Sequence, residues 1–488
     1  MSEHTLKEKT ATGLMWGAVN NLLTQVMAVV IGIFLARLLT PADYGLVGML
    51  AIFSAIATSL QESGFIVALT NLKTITHRDY NAVFWFSTLM GLMLYTLLFF
   101  CAPLIAAYFH HPELVPLSRL VFLSFVLSAI GTAHSAYLFR NMMNRERAIM
   151  GLTALTVSGT VGITLALNGY SYWSLAWEQF AFNVVLNMGR AYYVKWHPTL
   201  HFDFQPVRSM FGFSSKILAT SIINNVSNNL LTLILGRLFA NPGVVGNFTQ
   251  AYKWNTMASS TITGTIGQIA QPVLASIADD SNRQQRAFRK MLRFTCLLVF
   301  PAIFGLSFVA HEFIVITLSD KWIDSVILLR ILCIGGAFLP IHKLYQDLTV
   351  SCGRSDLYMW SNILLICVQL CCIMAFSRLG VVAMVTAFTT VIVAWTMVWQ
   401  VIANKLAHVT FTEVFKDIMP FLMAAAGAVA VAYLATMFLT DLRLLLAARI
   451  VVTTVVYLTT LKIAHARILD ECIAFILKKI HINDNNNS

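Results

Sequence analysis

The feature that most constrains this chain is a recurrence. Apolar runs long enough to cross a bilayer return between Gly13 and Ile468, separated by short polar segments. A helix of about 20 apolar residues spans the hydrocarbon core, and backbone in lipid must satisfy its own hydrogen bonds. The runs lack the strict alternation that a membrane barrel needs, so they read as helices. Only 11% of the residues are charged, against roughly 25% in ordinary soluble domains. A soluble protein of this make-up would have too little polar surface to stay in solution.

The expected spans are 13–38, 45–70, 83–109, 117–138, 149–168, 171–194, 214–239, 245–275, 292–317, 325–350, 357–377, 380–403, 417–439 and 445–465. The fold class is therefore an all-α integral membrane bundle of about fourteen transmembrane helices. The opening MSEHTLKEKT is polar, and the first apolar run is far longer than a signal-peptide core, so no cleavable signal is expected. The tail ECIAFILKKIHINDNNNS reads as a short amphipathic helix on the inner surface, followed by a polar end.

The basic residues give these spans a direction. With the N-terminus placed in the cytoplasm, only Arg37, Arg119, Arg237, Lys321, Arg378, Arg443 and Arg449 fall in outer segments. Lys253, Arg330 and Lys343 lie within spans, and the rest of the 33 Lys and Arg fall on the inner side. That asymmetry puts both termini in the cytoplasm of a multi-pass protein of a bacterial inner membrane. It also accounts for the net charge of +11 without nucleic acid as a partner.

Signals of chemistry are missing. The eight cysteines are scattered, with Cys367, Cys371 and Cys372 in one apolar run. No pair has metal-ligand spacing with histidine partners, so they read as small apolar packing residues, and neither a metal nor another cofactor is expected. No GxSxG, HExxH or Walker A motif occurs, and the loops are too short to hold a catalytic domain, so no catalytic residue is assigned.

The chain echoes itself. LARLLTPADYG at 35–45 resembles LGRLFANPGVVG at 235–246, with Pro41 and Gly45 answered by Pro242 and Gly246. Val115, Leu117 and Arg119 are answered by Val326, Leu328 and Arg330. The offset covers an even number of spans, so the halves run in the same direction, as in parallel-repeat transporters. The implied organisation is an N-lobe over 1–200, a C-lobe over 201–410, two further helices over 411–468 and a cytoplasmic tail over 469–488. The two lobes would each hold six helices, with KWHPTLHFDFQPVRS at 195–209 as the linker.

Polar groups inside spans point to a path through the bundle, because lipid-facing positions tolerate them poorly. Asn21 and Gln25 lie one turn apart in the first span, and Ser221, Asn225 and Asn228 share a face in its counterpart. Lys253, Thr256, Ser260, Gly264, Gln268 and Gln271 form one stripe at spacings of three or four. Amides alone also serve helix–helix hydrogen bonding; a lysine on the same stripe favours a hydrated cavity. Lys253, Lys343, Asn21, Gln25, Asn225 and Gln268 are the candidate substrate-binding residues. Glu62, Glu178 and Asp347 are candidates for ion coupling, although Lys343 and Asp347, four residues apart, also suit a simple ion pair. Pro272, Pro301 and Pro340 interrupt spans in the second half, either as packing kinks or as bends that aid movement.

One family matches these segments. KEKTATGLMWGAVNNLLTQ followed by ARLLTPADYGLVGML resembles the Wzx-type polysaccharide flippases, carried by Lys9, Thr10, Gly13, Trp16, Ala36, Arg37, Leu38, Pro41, Asp43, Tyr44 and Gly45. Glu62, Ser63, Gly64 and Phe65 follow, where the family often has Asp-Phe-Gly, and LFRNMMNRERAIMG resembles its fourth cytoplasmic link. These flippases form the oligosaccharidyl-lipid exporter branch of the multidrug/oligosaccharidyl-lipid/polysaccharide superfamily, and the likeness is strongest to colanic acid-type exporters. The resemblance implies a two-lobed bundle, six helices per lobe plus two. Its members carry undecaprenyl-diphosphate-linked oligosaccharide from the cytoplasmic to the periplasmic leaflet. The product feeds O-antigen, capsule or exopolysaccharide assembly, with a polysaccharide polymerase as a working partner. A cationic cavity would hold the diphosphate, and an ion gradient would drive the cycle. Two other readings stand beside it: a multidrug cation antiporter of the sister branch, and a membrane polysaccharide polymerase or ligase.

Overall fold

The structure is a computed structural model that describes residues 23–62, 69, 75–203, 205–466 and 468–471, without the side chains of 61–62, 208–217 and 219–220. No strand occurs among the described residues. The chain divides into two compact units, Met1–Gly246 and Asn247–Ser488.

The first unit holds α1 (Leu23–Leu38), α2 (Pro41–Met49), α3 (Ala51–Glu62), α4 (His77–Phe109), α5 (Leu114–Ile130), α6 (Thr132–Arg140), α7 (Asn144–Leu167), α8 (Trp173–Tyr193) and α9 (Gln205–Leu238). α10 (Pro242–Ser276) begins in this unit and runs into the second. There follow α11 (Ser281–Phe308), α12 (Ala310–Thr317), α13 (Asp324–Gly336), α14 (Leu339–Ser351), α15 (Ser355–Ala375), α16 (Val381–Ala407), α17 (Phe411–Thr436) and α18 (Leu442–Ile463). A helix, or a pair of helices, covers the described part of every expected span.

Helix starts follow local chemistry. Thr40 caps α2, with Pro41 in the first turn and the Asp43 carboxylate accepting from the Thr40 amide at 2.8 Å. The same reciprocal cap recurs at Thr76 with Asp79, at 2.8 Å, and at Thr410 with Glu413, at 3.0 Å. Pro272 and Pro301 lie inside α10 and α11, whereas Pro340 sits in the first turn of α14, where its missing N–H costs nothing. The span over 324–351 is thus two helices that meet near Phe338.

Nine described helices or helix pairs are long and apolar enough to cross a membrane; α5 and α6, bent by 44° at their junction, make a tenth as one span. α8, α9 and α10 also have spanning length but carry more polar side chains. In water this polarity would be ordinary; in a bilayer it marks surface that faces protein or water.

In the first unit the segment after α8 is fastened along the start of α4. Asn81 donates to the His201 carbonyl at 2.6 Å and accepts from the Thr199 amide at 2.8 Å, and Trp85 donates to the Thr199 carbonyl at 2.7 Å. Arg78 pairs with Asp203 and holds its carboxyl below the usual carboxylate range. Trp196 packs among Tyr80, Phe84 and His134. In the second unit, Arg289 ties α11 to α17 through Asp417 at 2.6 Å and Glu413 at 2.7 Å. Arg449 of α18 meets Glu312 of α12 at 2.7 Å, both nearly buried. These ion pairs let carboxylates sit in an apolar surround, because each has a cation beside it.

The two echoed segments meet. A Cβ added to Gly45 would lie 1.8 Å from the Pro242 carbonyl oxygen, and one added to Gly246 would lie 1.7 Å from that of Pro41. The starts of α2 and α10 therefore cross backbone to backbone, each supplying a glycine and a proline carbonyl. Neither site accepts any side chain without moving the helices apart.

Candidate functional site

Two hollows and one polar stripe stand out. The first hollow, 650 Å³, lies in the first unit between α3, α8 and α9, with Val121 of α5 on its wall. Its polar lining is Ser54, Thr58, Ser59, Gln179, Asn224 and Asn225, together with Ser221. Thr58 and Ser59 donate their hydroxyls to the Ser54 and Ala55 carbonyls at 2.8 and 3.0 Å, the usual outlet for a hydroxyl inside a helix. Asn225 donates to the Ser59 hydroxyl oxygen at 2.6 Å and so links α9 to α3.

The stripe runs along α10. Lys253 and Thr256 are half-buried, while Ser260, Gly264, Gln268 and Gln271 are exposed. The opposite face, with Asn255, Ser259, Ile266, Ala270 and Leu274, is buried. Thr256 and Ser260 donate to carbonyls of their own helix, at 2.8 and 3.2 Å. An exposed polar face on a helix of spanning length calls for water beside it.

Lys343 and Asp347 of α14 form an ion pair at 2.5 Å, with Asp347 buried and Lys343 partly open. Gly267 of α10 faces the Lys343 side chain: a Cβ there would lie 3.4 Å from the Lys343 Cε. Residues 253 and 267 are about 21 Å apart along a helix at 1.5 Å per residue. The two lysines therefore sit at different depths of the second unit.

The second hollow is a groove of 1340 Å³ between α10, α11 and α18. Ile269, Val273, Phe294, Leu298, Tyr457 and Leu458 line it, and Lys290 and Lys462 stand at its margin. Lys290 also pairs with Glu471 at 2.5 Å. An apolar trough with Lys462 and the Lys290–Glu471 pair in its lining suits an amphiphile with a long hydrocarbon part and a polar head.

The description "Polysaccharide biosynthesis protein" matches residues 34–327, more than half of the chain. The chain belongs to the polysaccharide biosynthesis protein family. Among curated relatives of this family member, the lipopolysaccharide biosynthesis protein WzxC of Escherichia coli (strain K12) is 26% identical over 366 residues, covering 74% of this chain and 73% of the relative. The teichuronic acid biosynthesis protein TuaB of Bacillus subtilis (strain 168) is 23% identical, covering 86% and 88%. Among solved structures, the lipid II flippase MurJ in an inward closed conformation aligns with a TM-score of 0.71 at 13% identity, covering 93% of this chain and 100% of that one. An inward-facing multidrug MATE transporter aligns with a TM-score of 0.62 at 14% identity, covering 79% and 96%. At such identities the likeness establishes the fold: this polysaccharide biosynthesis protein has a multi-pass transporter architecture.

Within that architecture the sequence-expected residues are dispersed. Asn225 lines the first-unit cavity, Gln268 and Lys253 stand on the α10 stripe, and Gln25 is exposed on α1. Glu178 is half-buried on α8, with Gly162 of α7 against its side chain. Asn21 and the side chain of Glu62 lie outside the described residues. Sequence reasoning missed Ser54, Thr58, Ser59, Gln179 and Asn224. The signal was present as Ser54 and Thr58 four apart on α3 and adjacent amides on α9, but small hydroxyls in apolar helices do not stand out from packing residues.

Proposed function

We infer that this protein carries a lipid-linked oligosaccharide, joined through a diphosphate to a polyprenyl chain, from the cytoplasmic to the periplasmic leaflet of a bacterial inner membrane. The observation that carries the reading is the apolar groove with Lys462 and the Lys290–Glu471 pair in its lining, in a chain that belongs to a polysaccharide biosynthesis family. A polyprenyl tail is apolar along its length and has no affinity for a polar path, whereas the diphosphate needs cations. Lys253 on the exposed stripe is our candidate for meeting that charge during passage, and Asp347, whose Oδ2 is buried with no described hydrogen-bond partner, is our candidate ion-coupling carboxyl. Two parallel lobes of six helices, with boundaries near 200 and 410, are the arrangement we assign to the moving parts. A polysaccharide polymerase on the periplasmic side is the partner this scheme requires.

An antiporter for drug cations is favoured less. Such a site needs a carboxylate open to the cargo, and Glu312, Asp347 and Asp417 of the second unit each face a basic side chain.

The test is a reconstituted assay. Liposomes holding the purified chain and an undecaprenyl-diphosphate oligosaccharide should expose the glycan to an outside glycosidase faster than protein-free liposomes do. No acceleration, with the chain folded and an ion gradient of either sign applied, would overturn the reading.

A further inference from the structure

We propose that the first-unit cavity between α3, α8 and α9 is a neutral subsite that reads sugar hydroxyls, and that it does not hold the diphosphate. The proposal rests on the transport reading above and names what this cavity contributes to it.

Size is the first argument. At 650 Å³ the hollow falls in the roughly 300–1,000 Å³ range of small-molecule sites.

Its bonding state is the second. The polar lining consists of hydroxyls and primary amides, and no charged side chain lines it among the described residues. Thr58 and Ser59 have spent their hydrogens on helix carbonyls; the Thr58 oxygen remains as an acceptor, while that of Ser59 already accepts from Asn225. Asn225 has spent one N–H on Ser59 and keeps its side-chain carbonyl. Gln179 and Asn224 are exposed, and neither side-chain amide has a hydrogen-bond partner among the described residues. Each offers two N–H donors and a carbonyl within one plane. A sugar hydroxyl both donates and accepts, so two adjacent hydroxyls match one primary amide.

The third argument is what the cavity rejects. A diphosphate entering it would lose water and meet carbonyl and hydroxyl lone pairs, with no cation in the described lining to offset the loss. A neutral glycan loses far less on leaving water and regains hydrogen bonds of both senses. Val47, Ala51 and Val121 supply the apolar wall that the C–H face of a sugar ring needs.

Finally, two unpaired amides would be poorly tolerated against lipid, so the hollow is wet when empty.

The experiment compares two lipids on the full-length chain in nanodiscs: undecaprenyl diphosphate bearing a neutral oligosaccharide, and undecaprenyl diphosphate alone. Gln179→Ala and Asn224→Ala should each weaken binding of the glycan-bearing lipid by about three- to tenfold. Binding of the bare lipid should not change. The similarly sized Gln179→Met and Asn224→Leu keep the bulk while removing the amide's donors and acceptor without adding charge, and should show the same selective loss; they replace any alanine variant that is not monodisperse. Equal weakening of both lipids, or no weakening of either, overturns the subsite. A wild-type chain that binds neither lipid better than phosphatidylglycerol sinks the transport reading itself, and the subsite with it.

Discussion

At the residue scale, the two in-span lysines that look alike in sequence have different surroundings. Lys343 neutralises Asp347, which is almost fully buried. Lys343→Ala should therefore lower stability by about 1–3 kcal/mol, below the cost of breaking a fully buried pair because Lys343 is partly open. The double variant with Asp347→Ala should recover more than half of that loss in thermal unfolding of purified protein. If the single and double variants melt alike, the pair is not coupled. Lys253, half-buried on the polar stripe of α10, is the candidate for the export path, and Lys253→Ala should cut glycan export by about tenfold, the loss of one charge-assisted contact. Membrane abundance should stay level, and Lys253→Arg should retain more export. Normal surface polysaccharide from Lys253→Ala at native expression would remove it from the path. The sequence placed both lysines inside spans, but it left open whether Lys343 paired. Periodicity shows which residues share a face, while pairing depends on how far a side chain is drawn toward its neighbour.

At the element scale, the crossing of α2 and α10 is the most demanding contact. Gly45→Ala or Gly246→Ala would each drive a methyl group into a carbonyl oxygen less than 2 Å away. Overpacking of this kind costs about 1–3 kcal/mol. Because both glycines guard the same crossing, the double variant should cost clearly less than the sum of the singles. Strict additivity in thermal unfolding of the purified variants would show that the helices relax independently. The echo of Pro41 and Gly45 in Pro242 and Gly246 was legible as a repeat. That the repeats would touch was not, because a one-dimensional offset carries no information about which copies face each other.

At the scale of the whole molecule, hydropathy pointed to an all-helical membrane protein, since lipid leaves the backbone few alternatives to helix. It could not find the first-unit cavity, whose lining comes from Ser54, Gln179 and Asn224 on separate helices. Direction rests on the basic residues alone, and reporter fusions test it. Fusions after Ser488 and within 276–290 should read cytoplasmic, and one within 319–323 should read periplasmic; the inverse pattern would sink the orientation. The α2–α10 crossing bears on ancestry as well. A contact in which each side presents the same glycine and the same proline carbonyl is self-complementary, the property that a two-fold homodimer requires. A half-length ancestor with one copy of the segment would carry both faces of that contact on a single surface. Fusion of two such copies would seal a dimer seam inside one polypeptide, and two separate glycines would then do the work that one does twice in a homodimer.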